Sequence, residues 1–209
     1  MQPVLPSPPR RRPWTFLAAA AAALLFQLNP AWRDALLYDR AAVAAGEWWR
    51  VWTGHWVHFG WPHFIADTGL LLILGWLLEA RHPVFSRWAL LLLPAFITAA
   101  LYWLDPTMAR YGGLSAVNLG LLLFLSLQGW QRNWADWFWP AVLAVYVGEV
   151  ILEAWQGGRG GGLIRFDEPA VRVATSAHLA SAAYALIAWL IAGWRATKKP
   201  GPRGPGLVT

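Results

Sequence analysis

Tyr111-Gly112-Gly113-Leu114-Ser115-Ala116-Val117-Asn118-Leu119-Gly120-Leu121-Leu122-Leu123-Phe124-Leu125 opens on a glycine pair and runs on as an apolar block to Trp130. A block of this length approaches the ~20 apolar residues that a helix needs to cross a bilayer. Five others accompany it, so that apolar blocks lie at 14–28, 63–79, 87–104, 114–130, 137–156 and 174–194. Hydrophobic residues make up 57% of the 209 and charged ones only 13%, about half the share usual in soluble domains. The expected fold is therefore all-α: a polytopic membrane protein of six transmembrane helices. Many of the seventeen tryptophans sit at block ends, where aromatic belts meet the interface.

Three regions follow from this reading. Residues 1–13 form a basic tail ending in Arg10-Arg11-Arg12, residues 14–195 the membrane domain, and residues 196–209 a flexible tail rich in Gly and Pro. The first block follows basic residues and is short, as in a signal peptide. A retained signal anchor is the better reading, because no small-x-small cleavage site precedes Asn29-Pro30. With the N-terminus cytoplasmic and all six blocks spanning, ten basic residues lie inside and seven outside. That bias has the sign of the positive-inside rule and puts both termini in the cytoplasm. The net charge of +6 serves orientation at the lipid surface, not nucleic-acid binding. Cysteine is absent, which excludes disulfides, thiolate metal sites and a Cys nucleophile.

The connection 29–62 is too aromatic for an aqueous loop and too polar for a span, which suits an interfacial segment. The glycine-rich stretch 157–162 reads as a connector.

Polar residues inside apolar blocks are candidates for function. In Tyr111-Gly112-Gly113-Leu114-Ser115, Gly112 and Gly113 permit a tight turn, and Ser115 falls in the first helical turn. Backbone N–H groups there lack intrahelical acceptors and are suited to hold an oxyanion; a plain N-cap is the alternative for Ser115. His178 lies at the outer end of the sixth block, beside a small-residue stripe of Ala177, Ser181 and Ala185. A matching pair, Ala116 and Gly120, lies on the fourth block. Such stripes permit close helix packing, and in the expected topology Ser115 and His178 share a depth. A serine nucleophile with a histidine base is the minimum apparatus for acyl transfer. The third cluster is His55, His58, His63 and Asp67. Its spacing matches no zinc motif and no His-Glu-x-x-His occurs, so no metal and no cofactor is expected. The alternative roles are an oxyanion hydrogen bond from His63 and a loop tie from His58. Glu149 and Glu153 read as cavity lining, and Asn118 as a helix–helix hydrogen bond.

These residues carry a resemblance. Over about residues 46–194 the chain resembles rhomboid intramembrane serine proteases. Gly46-Glu47-x-Trp49-Arg50 with Thr53 looks like the first-loop Trp-Arg motif, His58-x4-His63 like the paired histidines opening the second helix, Gly113-Leu114-Ser115 like the nucleophile motif, and Ala177-His178 like the catalytic histidine of the sixth helix. Thr53-Gly54-His55-Trp56-Val57-His58 with Trp61-Pro62-His63 is similar to the rhombosortase subgroup. The resemblance implies a six-helix bundle with an interfacial first loop in a bacterial inner membrane, its active site opening to the periplasmic side. It implies a Ser115–His178 dyad, an oxyanion hole from His63, Leu114, Ser115 and Asp67, and structural roles for Trp49, Arg50, His58, Gly112 and Gly113. Substrates would be transmembrane or C-terminally anchored proteins, in the subgroup those with Gly-Gly tails. The rival is a non-proteolytic rhomboid-like binder of transmembrane clients; such proteins typically lose the Ser or His, and both are present here. The chain departs from the family pattern at Ala116, usually Gly; at Asp67, commonly Asn; at Leu119, often aromatic; and at Ser181, usually Gly.

Overall fold

The computed structural model describes residues 12–155 and 174–197. Most of both tails and the 157–162 connector lie outside the described residues, as do the side chains of Glu149 and Glu153. In chain order the helices are α1 (Trp14–Leu28), α2 (Arg33–Leu36), α3 (Arg40–Ala44), α4 (Arg50–Thr53), α5 (Trp61–Arg81), α6 (Pro83–Leu104), α7 (Ser115–Arg132), α8 (Phe138–Trp155) and α9 (Thr175–Thr197). Two short 3-10 turns, Pro30–Trp32 and Gly54–Trp56, complete the first loop.

The protein is a multi-pass helical membrane protein, but the expected count of six spans is not reproduced by length and apolarity. Among the described residues α5, α6 and α9 alone are long and apolar enough to cross a membrane. A fourth is counted only if α1 joins Pro30–Leu36 across a 98° bend. The reason is clearest in α7. Its Asn118 and Ser126 are buried against other helices, along with nearly every residue from Ala116 to Ser126. A helix shielded by protein carries polar groups at its contacts, and these dilute the apolar signal that a lipid-facing helix keeps. α7 packs most extensively on α9 and also touches α5, α6 and α8.

The two small-residue stripes meet at the α7–α9 contact. Ser181 Oγ donates to the carbonyl of Ala116, and a Cβ at Gly120 would run into the Ser181 hydroxyl. Elsewhere Gly75 of α5 lies against the Phe16 ring, seating α1.

The first loop is folded, not extended. Tyr38–Asp39 (β1) pairs antiparallel with Arg110–Tyr111 (β2), Tyr38 opposite Tyr111. This short ladder joins the loop to the turn before α7. The Trp-Arg motif acts on α2, whose last carbonyls have no helical partners. Buried Arg50 donates through Nη1 to the carbonyls of Asp34 and Leu37, both at 2.6 Å, and through Nε to Glu47 at 2.6 Å. Thr53 Oγ donates to Leu36 O at 2.6 Å and Trp49 Nε1 to Ala35 O at 3.0 Å. Arg50→Ala is expected to destabilise the fold by about 3 kcal/mol, since it strands buried carbonyls once bonded to a charged donor. The check is a thermal melt in detergent, in which an unchanged midpoint counts against this role.

Candidate active site

Gly113 is the pivot of the turn before α7. Its φ of +110° lies in a region that L side chains rarely adopt. A Cβ there would also stand 2.8 Å from Cε1 of His63. At Gly112 a Cβ would meet Leu37 Cδ1 at 2.7 Å. Both glycines thus allow the turn to lie flat against the first loop and the start of α5. Tyr111 is buried, and its hydroxyl donates to Gly113 O at 3.1 Å. The Gly113 N–H points back to Gly54 O at 3.4 Å.

Ser115 is the first residue of α7 and is half-buried. Tyr146 of α8 donates to its carbonyl at 2.7 Å. His178, on the first turns of α9, is 5% exposed. Its Nδ1 lies 3.1 Å from Ala174 O. A carbonyl only accepts, so Nδ1 carries the hydrogen and the neutral ring keeps a lone pair on Nε2. That Nε2 is buried and makes no hydrogen bond. His178 precedes Ser181 by three residues, and Ser115 precedes Ala116 by one. The Ser181–Ala116 bond therefore sets both side chains at the same end of the α7–α9 contact. Ser115 Oγ is not hydrogen-bonded to Nε2 here.

The remaining site residues gather around Asp67 of α5, which is 3% exposed. Its Oδ2 accepts the Leu114 N–H at 2.8 Å and lies 3.0 Å from His63 Nε2 and 3.5 Å from His58 Nε2. His63 Nδ1 accepts the Phe59 N–H at 3.3 Å, so the ring hydrogen sits on Nε2 and is given to Asp67. The Leu114 N–H is bonded to Asp67 and so is not offered to an open hole. Asp67 accepts from both Leu114 and His63. The cause is charge: a buried carboxylate gathers every donor within reach, whereas an amide would divide its contacts between donors and acceptors. His58 Nδ1 is bonded to Trp56 O at 3.1 Å, within its own loop. Asn118 donates to Asp67 O at 2.9 Å and ties α7 to α5.

His55 lies apart from this cluster. It is fully buried, with Nε2 near Pro94 O at 3.2 Å and Thr98 Oγ at 3.1 Å. Burial pushes its pKa down to about 3, so it stays neutral and pins the loop to α6. Among the described residues no group of three or more His, Asp or Glu is arranged to hold a metal.

Sequence reading missed two contacts. Tyr146 reaches the Ser115 carbonyl, and Asp105, after α6, accepts the Ser176 hydroxyl at 2.6 Å. The Ser176 and Thr107 hydrogen bonds lower the Asp105 pKa. Neither residue belongs to a motif, and their partners follow only from how helices are set side by side.

The family model of the Rhomboid domain matches residues 45–195. No curated protein is similar enough to match the chain.

Proposed function

Because the chain belongs to the rhomboid family, a family of intramembrane proteases, we propose that it is a serine endopeptidase using Ser115 as nucleophile and His178 as base. The observation that carries this reading is the His178 ring. Its Nδ1–H is held by Ala174 O and its Nε2 lone pair is unused, as a base waiting for a hydroxyl proton requires. Ser115 begins α7 at the same end of the helix contact.

In this reading a substrate segment unwinds beside α7, and His178 Nε2 takes the Ser115 hydroxyl proton as Oγ attacks the scissile carbonyl. The Ser115 N–H, in a first helical turn without intrahelical acceptors, stabilises the oxyanion, and His63 joins it by turning its Nε2–H from Asp67 to the substrate oxygen. His178 returns the proton to the leaving amine, and water then releases the acyl group. The substrates are proteins anchored in the same bilayer. The Thr53–His58 and Trp61–His63 stretches support a narrower role, rhombosortase-like processing of C-terminal Gly-Gly tails. The site opens to the periplasmic side of a bacterial inner membrane, with both termini cytoplasmic.

The test is labelling of the full-length, detergent-solubilised protein with a fluorophosphonate, followed by mass mapping. An adduct on Ser115 is expected. No adduct, or one on another hydroxyl, overturns the reading.

A further inference from the structure

With the His58 ring neutral, the contact between His58 and Asp67 has no hydrogen to share. His58 gives its Nδ1–H to Trp56 O, so a neutral ring turns an Nε2 lone pair outward. That Nε2 is buried and has no hydrogen-bond partner, and it faces Asp67 Oδ2 at 3.5 Å. An acceptor thus faces a carboxylate oxygen with no donor between them, in a place without water's screening. Buried polar groups left so are destabilising. One added proton turns the contact into a donor–acceptor pair and makes the whole cluster of His58, His63 and Asp67 neutral.

We propose that His58 Nε2 and Asp67 Oδ2 share one proton, and that this proton lets Asp67 serve as positioning residue for the turn that carries Ser115. The inference rests on the protease reading above and adds a regulation to its site. Asp67 fixes that turn through the Leu114 N–H. As a bare anion it would also oppose the charge that develops on the substrate oxygen, because it lies against His63, the side chain that would hold that oxygen. With the shared proton it anchors the turn without that opposition. An amide, with its own fixed N–H, needs no such proton.

Four titratable groups act on Asp67: His58 from the loop, His63 from its own helix, Tyr111 from β2 and His178 from α9. His63 is fixed as a donor by Phe59. Burial raises the Tyr111 pKa, which keeps its hydroxyl protonated. Burial lowers the His58 pKa, and the Asp67 carboxylate offsets this only in part. The sign follows. The pair holds its proton at low pH and loses it as pH rises, whereas His178 must lose a proton to act. Activity therefore climbs on the acid side through His178 and falls on the alkaline side through the pair.

The experiment measures fluorophosphonate labelling of Ser115 at about pH 6 and about pH 9 in wild type, Asp67→Asn and His58→Gln. Asp67→Asn replaces the titrating proton with a permanent amide N–H and removes the charge, which lifts the alkaline rate, whereas His58→Gln leaves Asp67 anionic at both pH values and lowers the acid rate. Both are expected to raise the ratio of the alkaline to the acid rate by about tenfold. A ratio unchanged in either folded variant, judged by its melt in the same detergent, overturns the inference. So does an Asp67→Asn protein that folds but labels more slowly at both pH values. If one variant does not fold, the other decides. Failure of wild type to label at Ser115 is a separate result, which removes the protease reading itself.

Discussion

Ser115→Ala is expected to abolish labelling and cleavage, a loss on the order of 10^6-fold as for other serine nucleophiles, with the fold unharmed. The two outcomes separate because the tertiary contact of Ser115 runs through its backbone. Tyr146 donates to the Ser115 carbonyl, which alanine retains. The neighbouring Ser181–Ala116 bond also uses a backbone carbonyl. Alanine is moreover the better helix former at an early position of α7. Cleavage of a membrane-anchored reporter and a detergent melt together check this. Residual cleavage above a few per cent of wild type would remove Ser115 from the role of nucleophile. A melt lowered by many degrees would instead show a structural role.

His178→Ala carries the second largest effect, about 10^4-fold in the rate of Ser115 acylation. The imidazole supplies the only unpaired buried ring nitrogen on α9 itself among the described residues. Its loss leaves the Ser115 proton no acceptor but water. The cost to stability is small, because the His178 backbone N–H still bonds to Ala174 O and only the side-chain bond to the same carbonyl is lost. Stopped-time labelling with the fluorophosphonate reads the rate. In wild type that rate must rise from acid toward neutral pH, since only a neutral ring accepts the proton, and the rise must vanish in the variant. A His178→Ala protein that labels as fast as wild type would show that another group serves as base.

Both predictions concern residues visible in the sequence, and the reason is local. Gly112-Gly113-x-Ser115 marks a turn that needs a positive φ and a close approach. Histidine in an apolar block is expensive enough to mark itself. The helix boundaries were legible for a similar reason: the expected blocks at 63–79 and 174–194 became α5 (Trp61–Arg81) and α9 (Thr175–Thr197), because apolar runs follow the hydrocarbon thickness. Span assignment was less legible. Lipid and a neighbouring helix both accept leucine, so α7 with its buried Asn118 and Ser126 reads as one more apolar block while its surroundings are largely protein.

The sequence by itself determined that this chain is a helical membrane protein of the rhomboid pattern, with Ser115 and His178 as its marked pair. It did so through composition, apolar run length and residue types that are costly out of water. Tertiary structure alone decided which distant partners the Asp in the Asn position meets. Asp67 Oδ2 collects the Leu114 and His63 N–H groups and faces His58. It is bound to a backbone amide 47 positions along the chain. A hydrogen bond depends on distance and direction between atoms, and no spacing along a chain encodes which distant N–H a carboxylate will meet.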